Sequence, residues 1–331
     1  MTILLTGGAG FIGAATAEHL LNRGERVIVL DNFNDYYPVQ LKRDRIARLA
    51  RFGDALRIHE LDFSDVSTVE RVLASEDFDR IVHLGAQAGV RYSLDNPMAY
   101  AASNLTGHLV MLELARHRGV RHMVYASSSS VYGNNAKVPF AVDDPVDHPI
   151  SLYAATKRAD ELISDSYAHL YRAPLTGLRF FTVYGPWGRP DMMAWKCTEA
   201  VLTGRPIAVF NNGEMHRDFT YIDDIVAGVV AALDRPPADD AAIKPGGSVA
   251  PHALYNIGNN RAEHLMRLIG LIEDACGIKA QIDFQPMQPG DVPRTYADID
   301  AIRADLGYEP TTPIDLGIPA FVDWFRSYTG R

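Results

Sequence analysis

Tyr153 and Lys157 stand four residues apart in Tyr153-Ala154-Ala155-Thr156-Lys157, and the run Ser127-Ser128-Ser129-Ser130-Val131-Tyr132-Gly133 precedes them. Positions i and i+4 share one face of a helix, so the phenol and the ammonium can address one cavity. A phenol with a reference pKa of about 10 is a poor base at neutral pH, and a fixed cation beside it favours the phenolate. A hydroxyl from the serine run could hold a substrate oxygen whose proton the tyrosine takes. Taken alone, Tyr-x-x-x-Lys equally describes an ordinary amphipathic helix with a half-buried tyrosine and a surface lysine. The start of the chain separates the two readings.

The N-terminus reads Thr2-Ile3-Leu4-Leu5-Thr6-Gly7-Gly8-Ala9-Gly10-Phe11-Ile12-Gly13. An apolar run, read as a buried parallel strand, breaks into Gly7, Gly10 and Gly13 at spacing three and continues as a helix from Phe11 and Ile12 through Arg23. Gly7 permits a tight turn, Gly10 a close approach to a pyrophosphate, and Gly13 close packing of helix on strand. The helix N-terminus offers free N–H groups to that anion. The next strand, Arg26-Val27-Ile28-Val29-Leu30, ends at Asp31. A carboxylate there accepts hydrogen bonds from an adenosine ribose and repels a 2′-phosphate, which selects NAD over NADP.

Elements must bring these two ends of the pattern together. Strands are predicted at 2–6, 26–30, 56–59, 79–84, 121–126 and 175–180, and helices at 11–23, 38–52, 66–75, 98–118 and 152–171. Such alternation implies right-handed crossovers and a parallel sheet, with ligands bound beyond the carboxyl ends of the strands. Gly7, Asp31 with Asn32, Asp62 with Phe63, Leu84-Gly85-Ala86-Gln87, Ser127–Ser130 and Thr182 all follow predicted strands. From about residue 183 prolines interrupt the pattern, and short strand-like pieces appear at 207–210, 254–257 and 281–284. Residues 235–251 read as an exposed loop. The expected fold is α/β: a Rossmann-type doubly wound parallel sheet over 1–182 and a smaller mixed α/β substrate domain over 183–331, some of whose segments cross back.

The 331 residues are 47% hydrophobic and 22% charged, as in a globular soluble chain, and no apolar stretch approaches the length of a bilayer span. The opening residues lack a basic n-region, so no secretory signal is expected. A formal net charge of −9 argues against nucleic acid or an anionic membrane as partner. Cys197 and Cys276 are isolated and read as free thiols of a reducing cytoplasm, and the eleven histidines show no ligand spacing, so no metal is expected.

The glycine spacing, the serine run before Val131-Tyr132-Gly133, and Tyr153-x-x-x-Lys157 resemble the extended short-chain dehydrogenase/reductase family over essentially the whole chain. Longer stretches resemble its UDP-glucuronate 4-epimerases: residues 31–37, 83–93, 147–153, 182–192 and 215–221. The chain departs at Gly85, where that group usually has alanine, and at Lys196 or Cys197, where it has an aromatic residue.

The resemblance implies NAD as cofactor and a UDP-sugar as substrate. It implies Tyr153 as base, Ser128 holding O4, and Lys157 on the nicotinamide ribose and tuning Tyr153. It places Gly7, Gly10, Phe11, Ile12, Gly13, Asp31, Asn32, Asp62, Phe63, Leu84, Gly85, Ala86, Gln87 and Asn104 at the dinucleotide. Ser129, Ser130, Thr182 and Arg189 are expected at the sugar carboxylate. Decarboxylases and dehydratases of the family carry an acid in the serine run, and galactose-type epimerases commonly carry asparagine at the position of Thr182. Arg217 and Arg294 match diphosphate contacts, with Arg91 a third, and Val209 and Phe210 are expected to flank the uracil. The alternatives are a UDP-hexose 4-epimerase and, behind it, a UDP-glucuronate decarboxylase. A homodimer through helices 98–118 and 152–171, and a supply of precursors for surface polysaccharide, are further implications of the likeness.

Overall fold

The computed structural model describes residues 1–287 and 292–331. Seven parallel strands form one sheet in the order His252–Ile257, Leu175–Phe180, His122–Ser128, Arg80–His83, Thr2–Thr6, Arg26–Asp31, Leu56–Glu60. The fold is Rossmann-like. Its inner strands are near-continuous apolar runs because helices cover both faces: Ile3, Leu4 and Leu5 are fully buried, as are Val29 and Leu30. The chain's direction reverses beside Thr2–Thr6, whose neighbours are Arg26–Asp31 and Arg80–His83. That reversal opens the crevice in which such sheets bind ligands.

The strand His252–Ile257 comes from the second half of the chain yet forms the seventh strand of the sheet. Helix Ile222–Asp234 likewise packs on helix Phe11–Asn22, and Ile299, Ile302, Leu306 and Tyr308 join the same core. A separate core holds helices Met193–Thr203, Leu265–Cys276 and Ile314–Thr329 around Val201, Leu268, Ile272, Ile318 and Phe321. It includes the parallel pair Pro206–Phe210 and Gln281–Gln285. Asp218 joins these parts: its buried carboxylate accepts the N–H groups of Asn259 (2.7 Å), Ala297 (3.0 Å) and Asn260 (3.1 Å) and the Thr220 hydroxyl (3.0 Å). Burial pushes this carboxyl up to about 6, against the pull of those donors.

Two predicted helices differ in detail. The segment predicted at 38–52 is helical over Val39–Leu49 and then tightens into a 3₁₀ segment, Ala50–Ala55, which Gly53 breaks with φ of 52°. The segment predicted at 98–118 is three pieces: Pro97–Tyr100, a π-type turn Ala101–Thr106, and Gly107–Arg118. The wide turn points Asn104 inward, where its side chain meets the backbone of Gln87 on both sides.

Helix Leu152–Tyr171 runs along the sheet and carries Tyr153 and Lys157. Ser151 caps it, its hydroxyl accepting from the Ala154 N–H at 3.1 Å. Further along, Glu161 forms a two-pronged pair with Arg179 of the neighbouring strand at 2.8 and 3.0 Å, both side chains buried. The guanidinium holds the Glu161 carboxyl below its ordinary value despite burial. Replacing one member of such a pair strands the other charge, at a cost of about 3–5 kcal/mol. Glu161→Leu is expected to lose that much in urea unfolding, and Glu161→Leu with Arg179→Met to recover most of it.

Candidate active site

A cleft of about 1160 Å³ opens along the carboxyl ends of the strands, between the sheet and the second core. Its floor begins at the glycine turn. Gly7 has φ of 70°, and a side chain there would sit 2.7 Å from the backbone of Gly85. At Gly13 a methyl group would lie 2.1 Å from the Gly7 carbonyl oxygen. Only hydrogen fits at both, so helix Phe11–Asn22 presents its first N–H groups to the cleft without side-chain obstruction. No side chain caps that end.

Asp31 ends its strand at the cleft wall and accepts the N–H groups of Ala9 (2.9 Å) and Phe33 (2.8 Å), one on each oxygen. Burial raises its carboxyl above the usual range, and these donors and nearby Lys42 and Arg45 oppose the rise. Each oxygen keeps lone pairs for further donors. Asn32, Phe63, Leu84, Gly85, Ala86 and Gln87 also line the cleft. Thr6 braces the last of these segments: its hydroxyl accepts the Gly85 N–H at 3.0 Å and lies 2.7 Å from His83 Nδ1.

Tyr153, Lys157 and Ser128 line the same cleft. The Tyr153 ring is half-buried and meets Tyr100 edge-on, with centroids 6.1 Å apart. Lys157 is buried, its ammonium donating to the Ala126 carbonyl (2.9 Å) and to Asp160 Oδ2 (3.1 Å). Strand alternation divides the serine run. Ser127 turns away and donates to Glu161 at 2.6 Å, while Ser128 accepts the Ser130 N–H at 3.1 Å and so caps the turn Ser129–Tyr132. Ser129, Ser130 and Thr182 lie on the same wall.

Arg189 faces the cleft with its fork on Asp191, at 2.9 and 2.5 Å, and the Tyr36 hydroxyl donates to the same carboxylate at 3.2 Å. At the far end Arg91, Phe210 and Arg217 line the cleft, the Arg91 guanidinium 4.9 Å above the Phe210 ring. Arg217 donates to the carbonyls of His216 (2.9 Å) and Pro293 (3.3 Å).

Four expected site residues are placed differently. Val209 is fully buried in the second core, because alternation along Pro206–Phe210 puts it on the face opposite Ala208 and Phe210, which line the cleft. Asn104 does not face the cleft; it bonds Gln87 N–H (2.8 Å), Gln87 carbonyl (3.1 Å) and the Thr156 hydroxyl (3.0 Å), tying the cleft's loop to the tyrosine helix. Asp62 is exposed at the rim and spends its carboxylate on Ser64, with an Asn32 contact at 3.4 Å. Arg294 lies beside His216, its guanidinium 5.2 Å over the Tyr296 ring, outside the set of described residues that line the cleft.

Three charged groups escaped the sequence reading. Lys42, at the Asp31 end of the cleft, donates to the Asn34 carbonyl (2.6 Å) and side chain (2.7 Å), and burial pushes it down to about 8. Arg45 is fully buried and bonds Ala9, Tyr37, Trp187 and Gly188, joining the glycine turn to the second half. Asp160 is the partner of Lys157. The i, i+3 spacing of Lys42 and Arg45, and of Lys157 and Asp160, was the available signal. Among the described residues no cluster of histidine, cysteine or carboxylate has the arrangement of a metal site, and no helix is long and apolar enough to cross a membrane.

Residues 3–258 match the model of the NAD dependent epimerase/dehydratase family. A probable UDP-glucuronate 4-epimerase of Rhizobium meliloti is 43% identical over 98% of this chain and 97% of its own. Two solved structures superpose over 99% of the chain and all of theirs. UDP-glucuronic acid 4-epimerase from Bacillus cereus, in complex with UDP-glucuronic acid and NAD, has a TM-score of 0.87 and 31% identity. UDP-glucose 4-epimerase from Thermotoga maritima, with UDP-glucose, has a TM-score of 0.87 and 30% identity. The chain belongs to the NAD dependent epimerase/dehydratase family.

Proposed function

We propose that the protein interconverts UDP-glucuronate and UDP-galacturonate at C4 and keeps NAD bound throughout. The observation that carries this reading is a single cleft lined by the glycine turn with Asp31, by Tyr153, Lys157 and Ser128, and by the neutral hydroxyls of Ser129, Ser130 and Thr182. The Rhizobium meliloti and Bacillus cereus relatives bear the name of this activity.

The residues fit the dinucleotide. The helix N-terminus at Phe11–Gly13 suits its pyrophosphate, and the Asp31 carboxylate its adenosine ribose. NAD, when bound, supplies the acceptor and the donor of the C4 hydride. Lys157 has two of its three N–H groups committed to Ala126 and Asp160, which leaves one for a ribose hydroxyl. Tyr153, on the same cleft, takes the O4 proton on oxidation and returns it on reduction, so no net proton is consumed. Ser128 donates to O4 and steadies the charge that develops there. Arg217 and Arg91 are the cleft cations for the diphosphate, and Phe210 offers an apolar face to the uracil.

A 4-keto uronic acid is a β-keto acid and readily loses CO₂. Hydroxyl donors from Ser129, Ser130 and Thr182, with Arg189, hold the carboxylate out of the geometry for that loss. An acid in the serine run would repel it. This argues for a uronate over the neutral sugar of the Thermotoga maritima relative, and for epimerisation over decarboxylation. We further read the protein as a cytoplasmic homodimer. Met98, Leu109, Leu162 and Leu170 are exposed on the packed helical segments Pro97–Arg118 and Leu152–Tyr171. Cys197 and Cys276 are free thiols, as a reducing compartment requires.

NMR of UDP-glucuronate with the purified protein and no added cofactor is expected to record UDP-galacturonate and no pentose; exclusive turnover of UDP-glucose would overturn the uronate assignment. Tyr153→Phe is expected to lower kcat by about 10²–10⁴-fold with substrate affinity nearly unchanged. Retention of wild-type turnover would remove Tyr153 as the base. Thr182→Ala should weaken uronate binding and release a measurable 4-keto pentose; wild-type affinity with no pentose would refute its hold on the carboxylate. Light scattering should give twice the 36.5 kDa of one chain, falling to the single mass in Leu162→Asp.

A further inference from the structure

Lys157 and Asp160 form a buried pair one turn apart on helix Leu152–Tyr171, with side chains 3% and 0% exposed. The ammonium bridges the Ala126 carbonyl at 2.9 Å and Asp160 Oδ2 at 3.1 Å. Asp160 Oδ1 is sealed from solvent and has no hydrogen-bond partner among the described residues. A carboxylate half-satisfied in a dry site is costly, and its compensation here is the charge of Lys157.

The other titratable groups around the pair carry little net charge. On the same helix Glu161 is neutralised by Arg179 at 2.8 Å, and Arg158, 3.0 Å from Glu161, is balanced by Asp147 at 4.0 Å. From helix Gly107–Arg118, His108 packs with Nε2 2.8 Å from Ser164 Oγ, and burial keeps it neutral. From the strands, His83 is pushed down to about 3 by burial and by Lys157, and Tyr125 is pushed up by burial. The charge that Lys157 presents to its surroundings is therefore set by Asp160. Burial raises the Asp160 carboxyl to about 6 even with the ammonium against it, so the pair is neutral above that pH and cationic below.

We propose that Asp160 is a positioning residue for the reaction: it anchors the Lys157 ammonium and cancels part of the charge that Lys157 offers Tyr153, thereby setting the pH at which turnover develops. This rests on the reading of Tyr153 as the base. The sign is fixed by electrostatics. Removing the anion leaves an uncancelled cation beside the phenol, which favours the phenolate and moves activity to lower pH.

The test is the kcat–pH profile of the purified holoprotein, wild type against Asp160→Asn, from pH 5.5 to 9.5 with UDP-glucuronate. Asparagine keeps the size and the acceptor for Lys157 but loses the charge. The ascending limb is expected to move down by about one pH unit. Asp160→Ser carries the same prediction should the asparagine variant fail to accumulate. A limb that coincides with wild type in both, with only the melting temperature altered, overturns the proposal and leaves Asp160 a packing residue. Tyr153→Phe measured alongside separates the two levels. If it is inactive while the limb is unmoved, Asp160 alone has been misread; if it is active, the base assignment falls and this inference with it.

Discussion

Two neighbouring residues of one strand hold the helix that carries Tyr153. The Ala126 carbonyl receives the Lys157 ammonium, and the Ser127 hydroxyl donates to Glu161, which is clamped in turn by Arg179 of the next strand. Successive strand residues face opposite ways, so the hydroxyl of Ser127 goes to the helix and that of Ser128 to the cleft. One register therefore fixes both the base and the hydroxyl expected to work with it. A slip of this strand by one residue would exchange the roles of Ser127 and Ser128. Apolar contacts alone tolerate small slides along a helix, whereas directional bonds to buried charges do not. This is a use of buried ion pairs in which specificity matters more than net stabilisation.

The second constraint is closure of the cleft by the later part of the chain. Among the described residues Arg45 has no carboxylate partner; its fork is filled by backbone carbonyls of Ala9, Trp187 and Gly188 and by the Tyr37 hydroxyl. A buried guanidinium satisfied by neutral acceptors keeps its full charge, and this one sits directly behind the glycine turn. Together with Lys42 it sets two cations against the Asp31 carboxylate in a chain whose formal charge is −9. Asp218 plays the complementary part in the second half, gathering three backbone N–H groups from two separate segments beside Arg217.

The alternation of strand and helix, the glycine turn and the placing of Tyr153 and Lys157 on one cleft were legible because each depends on spacing within a few residues. Long-range partners were not. Nothing local to Arg45 announces Trp187, and nothing near Asp191 announces Tyr36. Asn104 was placed at the dinucleotide by the family resemblance. Its three bonds go to Gln87 and Thr156, a choice made by the π-type turn, which the sequence pattern does not announce. Val209 could have been placed correctly: in Pro206–Phe210 the period of two puts it on the face opposite Phe210. The strand-like piece at 254–257 was read within the second half, some of whose segments were expected to cross back, and the pattern does not say which; His252–Ile257 is the one that joins the sheet.

The departure at Gly85 follows from packing rather than chemistry. A methyl group there would fall 2.5 Å from the Phe63 ring, and one at Gly107 2.3 Å from the same ring. Phe63 fills the space that side chains at both positions would otherwise occupy, and its edge rests on His83 at a centroid distance of 5.3 Å. The absent methyl is thus compensated by a larger neighbour, and the loop Leu84–Gln87 keeps its course along the cleft. Its backbone is fixed from below by Thr6, from the side by Asn104 and from above by Phe63. Alanine at position 85 would meet the Phe63 ring, so that ring would have to shift or residue 63 be smaller, and the two positions form one packing unit. A difference from relatives at a cleft-lining residue need not signal a different ligand when its volume is returned by a side chain lining the same wall.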